Sequence, residues 1–269
     1  MSAADTPLLQ RRVGAVLVLS NNNPAARNAL SPEFYAALTQ ALSQAESDPG
    51  VGAIVLTGEG GHFCSGGDLR QLAKRRELPM EERRAKLEGL HDLVRAVRDC
   101  RKPVIAAVEG AAAGAGLSLA LACDMLVAAK NAVFSVAYVK VGLTPDGGAT
   151  AFLAEFVSRQ VLTELCLTGE RISGERLHAL GPVNRLAEPG QALAQALALA
   201  TQVAAGPDQA MARIKALCRN AYVHTLEEQL EQEAQSMVRS QETEESREGI
   251  GAFLEKRQPD FATLRQSRA

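Results

Sequence analysis

Three glycine-rich loops, each placed directly after a strand-like run, constrain this chain more than any other feature: Gly58-Glu59-Gly60-Gly61-His62-Phe63-Cys64-Ser65-Gly66-Gly67-Asp68, then Glu109 to Gly116, then Gly142-Leu143-Thr144-Pro145-Asp146-Gly147-Gly148. Glycine after a strand lets backbone N–H groups turn toward a ligand, and two converging N–H groups can hold an oxyanion. One such loop alone reads as a turn. Three in one chain point to a site. The runs read as strands are Val13–Leu19, Val51–Thr57, Pro103–Val108 and Met125–Ala129. Between them, Ser31-Pro32-Glu33 opens a helix carrying Phe34, Leu38, Ala41, Leu42 and Ala45 to about Ser47. Glu77–Cys100 is amphipathic through Leu87, Leu90, Val94 and Val97, and Gly114–Cys123 is apolar all round. Strands alternating with helices predict an α/β class with a partly parallel sheet. From Gly147 the spacing is helical: Gly147–Leu167, Ser173–Leu180, Gln191–Ala204, Pro207–Tyr222, His224–Ser240 and Glu242–Arg257. The expected organisation is therefore an α/β core over 1–200 and a C-terminal helical region over 201–269.

Composition removes several function classes. The 29 Lys and Arg against 31 Asp and Glu leave a net charge of −2, which argues against a nucleic-acid or membrane-surface partner. With 4% aromatic residues and no Trp, base-stacking platforms are not expected either. The charge-free stretch Gly110–Cys123, bracketed by Glu109 and Asp124, is too short to span a bilayer. The start, MSAADTPLLQRR, lacks the apolar segment of a secretory signal, so the cytoplasm is the expected compartment. Five cysteines, an odd number with no C-x-x-C pair, read as reduced thiols. His62 and Cys64, with Glu59 and Asp68 near them, lack a second ligand cluster, so no metal is expected. Gly114-Ala115-Gly116-Leu117-Ser118-Leu119 begins like a dinucleotide fingerprint, but Leu119 stands at the third glycine and the reading is rejected. Gly116-Leu117-Ser118-Leu119-Ala120 approximates a nucleophile elbow, with Asp124 or Asp146 and His178 or His224 downstream. A serine-type thioesterase or hydrolase using Ser118 therefore stays as a minor alternative, against Ala120 at the last glycine and a serine inside an apolar helix.

Taken in order, six segments carry a more specific likeness: Asn23-Pro24-Ala25-Ala26-Arg27-Asn28-Ala29-Leu30, Phe63-Cys64-Ser65-Gly66-Gly67-Asp68-Leu69, Lys102-Pro103-Val104-Ile105-Ala106-Ala107-Val108-Glu109-Gly110, Ala122-Cys123-Asp124, Gly142-Leu143-Thr144-Pro145-Asp146-Gly147-Gly148, and Arg247 to Arg257. Together they resemble the enoyl-CoA hydratase/isomerase (crotonase) superfamily. The resemblance implies a spiral of β-β-α units, with C-terminal helices that build trimers, commonly paired as hexamers. It implies an acyl-CoA thioester as substrate and partner, with coenzyme A part of that substrate and no further cofactor. The shared chemistry is stabilisation of a thioester enolate by two backbone N–H groups, which by motif position are those of Ser65 and Ala115, the latter at a helix N-terminus whose dipole favours negative charge. By the same likeness the backbone around Arg27, Asn28, Ala29 and Leu30, and around Gly67, Asp68 and Leu69, lines the path of the coenzyme A, and Phe253 and Lys256 reach it from the C-terminal region.

The departures from the family pattern are informative. Hydratases place two glutamates on one water; here those positions are Ser118 and Tyr138, neither of which can serve as a carboxylate base near neutral pH. Tyr138 is accordingly expected at the substrate, and Asp146 is the acid that remains. Asp146 before Gly147-Gly148 could be merely a helix cap, but family branches that shift double bonds or rearrange rings carry an acid at this loop position. The resemblance is closest to the isomerising and ring-opening enzymes of phenylacetate catabolism. The expected reaction is isomerisation or ring opening with Asp146 as acid/base, its carboxyl raised in pKa by a wall of Val136, Tyr138 and Leu143; a hydratase with non-standard groups is the alternative. Asp124 reads as structural, the stretch Gln71–Arg84 as shaping the acyl pocket, and the apolar stripes Leu226, Leu230, Met237 and Ile250, Phe253, Leu254 as the oligomer contact.

Overall fold

The computed structural model describes residues 6–267. Its first half runs through β1 (Leu8–Val13), β2 (Val16–Asn21), α1 (Pro32–Ser47), β3 (Ala53–Gly58), α2 (Leu69–Arg75), α3 (Met80–Asp99), β4 (Val104–Val108), β5 (Ala111–Ala113), α4 (Ala115–Ala122), β6 (Met125–Ala129) and β7 (Val133–Ser135). There follow α5 (Ala149–Ala154), α6 (Arg159–Thr168), β8 (Ile172–Ser173), α7 (Gly174–Ala179) and β9 (Arg185–Ala187). Five helices close the described chain: α8 (Ala192–Ala204), α9 (Asp208–Asn220), α10 (Leu226–Gln241), α11 (Glu244–Leu254) and α12 (Phe261–Gln266). The strands form a large sheet in the order β1-β2-β3-β4-β6-β9 and a small one in the order β5-β7-β8. All neighbours in the large sheet are parallel except the β1–β2 hairpin. The chain repeatedly lays one strand in the large sheet and the next stretch in the small layer before a helix. β4 leads to β5 and α4, and β3 leads to Cys64, which bridges Ala112 of β5. This is the β-β-α spiral.

Period-two alternation sorts the strand residues between two cores, because successive side chains point to opposite faces. Leu17, Leu19, Ile54, Leu56, Val104, Ala106, Leu126 and Ala128 join a large core with α1, α3, α4 and α5. Val16, Val18, Ala53, Val55, Ile105, Ala107 and Val127 face α8, whose Ala192, Ala196, Ala200 and Ala204 repeat every fourth position. Small side chains at that spacing let α8 lie close on the sheet, and residue 200 sits inside that packed helix. The C-terminal helices attach by polar ties. Lys215 of α9 donates to the carbonyls of Cys100 (2.6 Å) and Lys102 (2.8 Å) and pairs with Asp124 at 2.6 Å. Arg265 of α12, buried, donates to the carbonyls of Pro49 (3.0 Å) and Ala204 (2.7 Å).

Three elements differ from their sequence readings for local reasons. The run Val13–Leu19 is a hairpin turn entering β2, since Gly14 has φ +57°. Gly147–Leu167 is two helices, α5 after the left-handed Gly148 and α6 capped by the Ser158 hydroxyl on Val161 N–H. Gln71–Arg84 is largely helical, the end of α2 and the start of α3 around Pro79. No helix among the described residues is long and apolar enough to cross a membrane.

Candidate active site

The site is built from the small layer and the start of α4. The loop after β3 returns across the chain because the buried Asn28, itself in the left-handed region at φ +58°, holds it. Its amide donates to the carbonyls of Glu59 (2.8 Å) and His62 (2.6 Å), and its Oδ1 accepts the Asn23 N–H (2.9 Å). Asn21 in turn donates to the Asn28 carbonyl at 2.9 Å. The Asn28 side chain is thus spent within the protein on shaping the loop, so the part expected of this residue along the coenzyme A path falls to its backbone. Neighbouring groups do the same. The Ser65 hydroxyl donates to the Ala26 carbonyl (3.1 Å), and the Leu30 N–H donates to the Gly66 carbonyl (2.8 Å). Ala29 and Leu30 are buried, whereas the Arg27 side chain is exposed beside them.

The backbone amide of Ser65 donates to the Arg27 carbonyl at 3.0 Å. An N–H already bonded to a carbonyl has no proton left for a thioester oxygen, so Ser65 is withdrawn as an oxyanion donor. Two residues on, the Gly67 N–H makes no such bond to the described residues. Gly66 brings it to α4: its φ is +97°, and a Cβ there would lie 2.6 Å from the Ala113 carbonyl oxygen and 3.5 Å from the Ala115 nitrogen. Only glycine fits that approach. The Ala115 amide is the first of α4, capped by Gly114 with no side chain, and no carbonyl among the described residues accepts from it. The positive end of the α4 dipole therefore opens at the same spot. Asp68 accepts from Arg70 N–H (2.8 Å) as the cap of α2, and Leu69 is exposed.

Asp146, Tyr138 and Ser118 converge against this opening. The Tyr138 hydroxyl donates to Asp146 Oδ1 at 2.7 Å, and the Ser118 hydroxyl donates to the Asp146 main-chain carbonyl at 3.0 Å. The two hydroxyl oxygens are 3.4 Å apart. Gly147, φ +59°, allows the loop this close: a Cβ on it would sit 3.1 Å from Ser118 Cβ. A Cβ on Gly114 would lie 3.8 Å from Tyr138 Cζ, which places the phenol beside the mouth of α4. Asp146 is not a helix cap, since Gly148 occupies that position with no side-chain bond. Burial pushes the Asp146 carboxyl above its ordinary range, while the Tyr138 hydrogen bond and the charges of His91 and Arg75 oppose the rise. Burial and then the Asp146 charge push the Tyr138 phenol far up, so it stays protonated as a donor. Of the expected wall, Val136 and Tyr138 are buried and Leu143 is half exposed.

Some groups lie elsewhere. Ser118 has no exposed surface and no histidine bonded to it, and His178 Nδ1 is held by the Val183 carbonyl at 2.6 Å, so the nucleophile elbow lacks its base. Phe253, 82% exposed, and Lys256 project from α11 and the turn behind it, which packs on α10 and α12. Within one chain they do not join the site. Three residues that motif reading passed over bear on its electrostatics: Arg75 and His91 through Asp146, and Tyr35, whose phenol burial holds at about 12 and which feels Asp146 and Arg75. Their signal was helical position alone, each on the site-facing side of α1, α2 or α3.

Comparison with known proteins fits this geometry. Residues 11–264 match the family described as enoyl-CoA hydratase/isomerase. The chain is 35% identical to the 1,2-epoxyphenylacetyl-CoA isomerase of Escherichia coli over 91% of this chain and 94% of that protein. It is 34% identical to the 2,3-dehydroadipyl-CoA hydratase of the same organism, over 94% and 98% respectively. Among solved structures, an enoyl-CoA hydratase from a Polaromonas species superposes with a TM-score of 0.91 at 48% identity, covering 94% of this chain and 98% of that one.

Proposed function

Since the chain belongs to the enoyl-CoA hydratase/isomerase family and is an enzyme acting on CoA thioesters, we propose that its reaction is a proton shift within one enolate, a double-bond isomerisation or its ring-opening relative. In this reading the Gly67 and Ala115 amides hold the thioester oxygen as charge develops on it. Asp146 removes a proton from the acyl chain and returns it at another carbon. The observation that carries the reading is the convergence of Ser118, Tyr138 and Asp146 with a single carboxylate among them, at 2.7 Å and 3.0 Å. Orienting and splitting water across a double bond takes an acid and a base together, whereas moving a proton along one delocalised system takes one group twice. The likeness to an isomerase of epoxyphenylacetyl-CoA supports this reading. The likeness to hydratases supports the second, in which the same carboxylate works on a bound water.

The test uses trans-3-hexenoyl-CoA and crotonyl-CoA as probes. The expected result is conversion of the first to its 2-enoyl isomer at a higher kcat/KM than hydration of the second. Asp146→Asn is expected to lose about 10² to 10⁴ in kcat with KM little changed. Faster hydration of crotonyl-CoA would favour the second reading, and near-full isomerisation by Asp146→Asn would remove Asp146 from both.

A further inference from the structure

Taking Asp146 as the acid/base, a reading on which this inference rests, its two carboxylate oxygens are not equivalent. Oδ1 accepts the Tyr138 proton at 2.7 Å. Oδ2 accepts no hydrogen bond from the described residues, yet it is not among their sealed polar atoms that lack a partner. The phenol cannot swing away. Tyr138 is buried, beside Gly114 on one side and 3.4 Å from the Ser118 hydroxyl on another. Ser118 fixes the backbone end of the same residue by donating to the Asp146 carbonyl at 3.0 Å. The Tyr138 hydroxyl also lies 3.3 Å from that carbonyl, but its one proton has the shorter bond to Oδ1, and the carbonyl is left to the Ser118 proton.

We propose that Tyr138 is a positioning residue: its hydroxyl pins Asp146 Oδ1 and leaves Oδ2 as the single oxygen that takes and returns the proton. In the forward half-step a C–H bond of the acyl chain breaks, an O–H bond forms at Oδ2, and the electron pair moves onto the thioester oxygen. In the return half-step the Oδ2–H bond breaks and a C–H bond forms at a different carbon. Nothing is oxidised or reduced, and Tyr138 keeps its own proton throughout. A carboxyl that is free to rotate would present either oxygen at varying angles. A pinned one presents the same lone pair to both carbons, which a proton shift along one face of a planar enolate requires. The charged and titratable groups that face Asp146 are Tyr138 from the turn before it, His91 of α3 and Arg75 of α2; Tyr35 of α1 feels Asp146 in turn. Of these, Tyr138 makes the direct bond to the carboxylate.

The experiment compares Tyr138→Phe, Ser118→Ala and Asp146→Asn in the full chain, after confirming that each unfolds with a single transition near that of the parent. Carbon-13 labelling of aspartate follows the Asp146 carboxyl through a pH titration without any substrate, with Asp146→Asn assigning the resonance. Because the Tyr138 hydrogen bond favours the ionised carboxyl, its loss moves the Asp146 titration, and with it the acidic limb of kcat, to higher pH. Tyr138→Phe is further expected to lose about tenfold to a hundredfold in kcat on trans-3-hexenoyl-CoA with KM within about threefold. Ser118→Ala, which removes a bond to the Asp146 main-chain carbonyl and a 3.4 Å contact with the Tyr138 hydroxyl but none to the carboxylate, is expected to leave the carboxyl titration in place. An unchanged titration in Tyr138→Phe overturns the positioning role while leaving Asp146 as acid/base. Turnover retained in Asp146→Asn overturns the reading beneath it instead.

Discussion

Asn28 holds the site loop with one side-chain amide. Replacing it with Ala strands the Glu59 and His62 carbonyls and the Asn23 N–H in a buried loop, and it puts a less tolerant residue at φ +58°. The expected cost is about 2–4 kcal/mol of unfolding free energy in urea titration, with loss of turnover because the Gly67 amide no longer meets Ala115. At Asp146 the sign of the pH dependence follows from burial. The base proposed above must be ionised to accept a proton, and burial raises the pH at which this carboxyl ionises. The acidic limb of kcat/KM is therefore expected above the ordinary aspartate range, and a limb at or below that range would show a carboxyl fully solvated in the free enzyme. The two residues were legible to different degrees. Asp146 stands in a recognisable loop. The withdrawal of Ser65 could not be read, because it depends on the Arg27 carbonyl, brought in from a separate loop 38 residues earlier.

Among the elements, those announced by their own ends were the ones sequence located well. α1 begins at the Ser31 cap with Pro32 in its first turn, and α4 follows a left-handed Gly114. β5, three alanines, has no strand propensity of its own; it is a strand because Val133–Ser135 pairs with it and Cys64 bridges it. The same tertiary logic attaches α9. Burial raises the Asp124 carboxyl, and Lys215 is the charge that offsets this while also satisfying two carbonyls. Lys215→Met is expected to destabilise by ~3 kcal/mol at neutral pH, measured by chemical denaturation. The group disfavoured in the folded state is the ionised Asp124, so folding is strongest below its unfolded pKa and weakens as pH rises through the raised folded value. The deficit of the variant is therefore expected to shrink toward about pH 4. A deficit that stays constant with pH would mean that the lost carbonyl bonds, and not the carboxylate, carry the cost.

At the scale of the whole molecule, the exposed apolar residues concentrate at the C-terminal end. Leu226, Leu230, Met237, Val238, Ile250, Phe253 and Leu254 are all exposed on α10 and α11, and among the residues of α9 and α10 none is buried. Exposed apolar side chains gathered on neighbouring helices favour association that covers them. Light scattering is expected to give about three times, or six times, the 28.5 kDa of one chain, and Leu226→Glu with Phe253→Glu to reduce it. A 28.5 kDa species at working concentration would overturn the expected oligomer and, with it, the expected contact of Phe253 and Lys256 with the coenzyme A.

The bond from Arg265 to the Pro49 carbonyl joins positions 216 apart in the chain. A ribosome adding roughly 5–20 residues per second delivers the second partner roughly 10–40 s after the first. During that interval β3 and β4 are already made, while the Ala204 carbonyl at the end of α8 still awaits its guanidinium donor. The clasp that joins the Pro49 turn to the end of α8 is therefore closed late in synthesis, after the sheet and α8 that it fastens have been made.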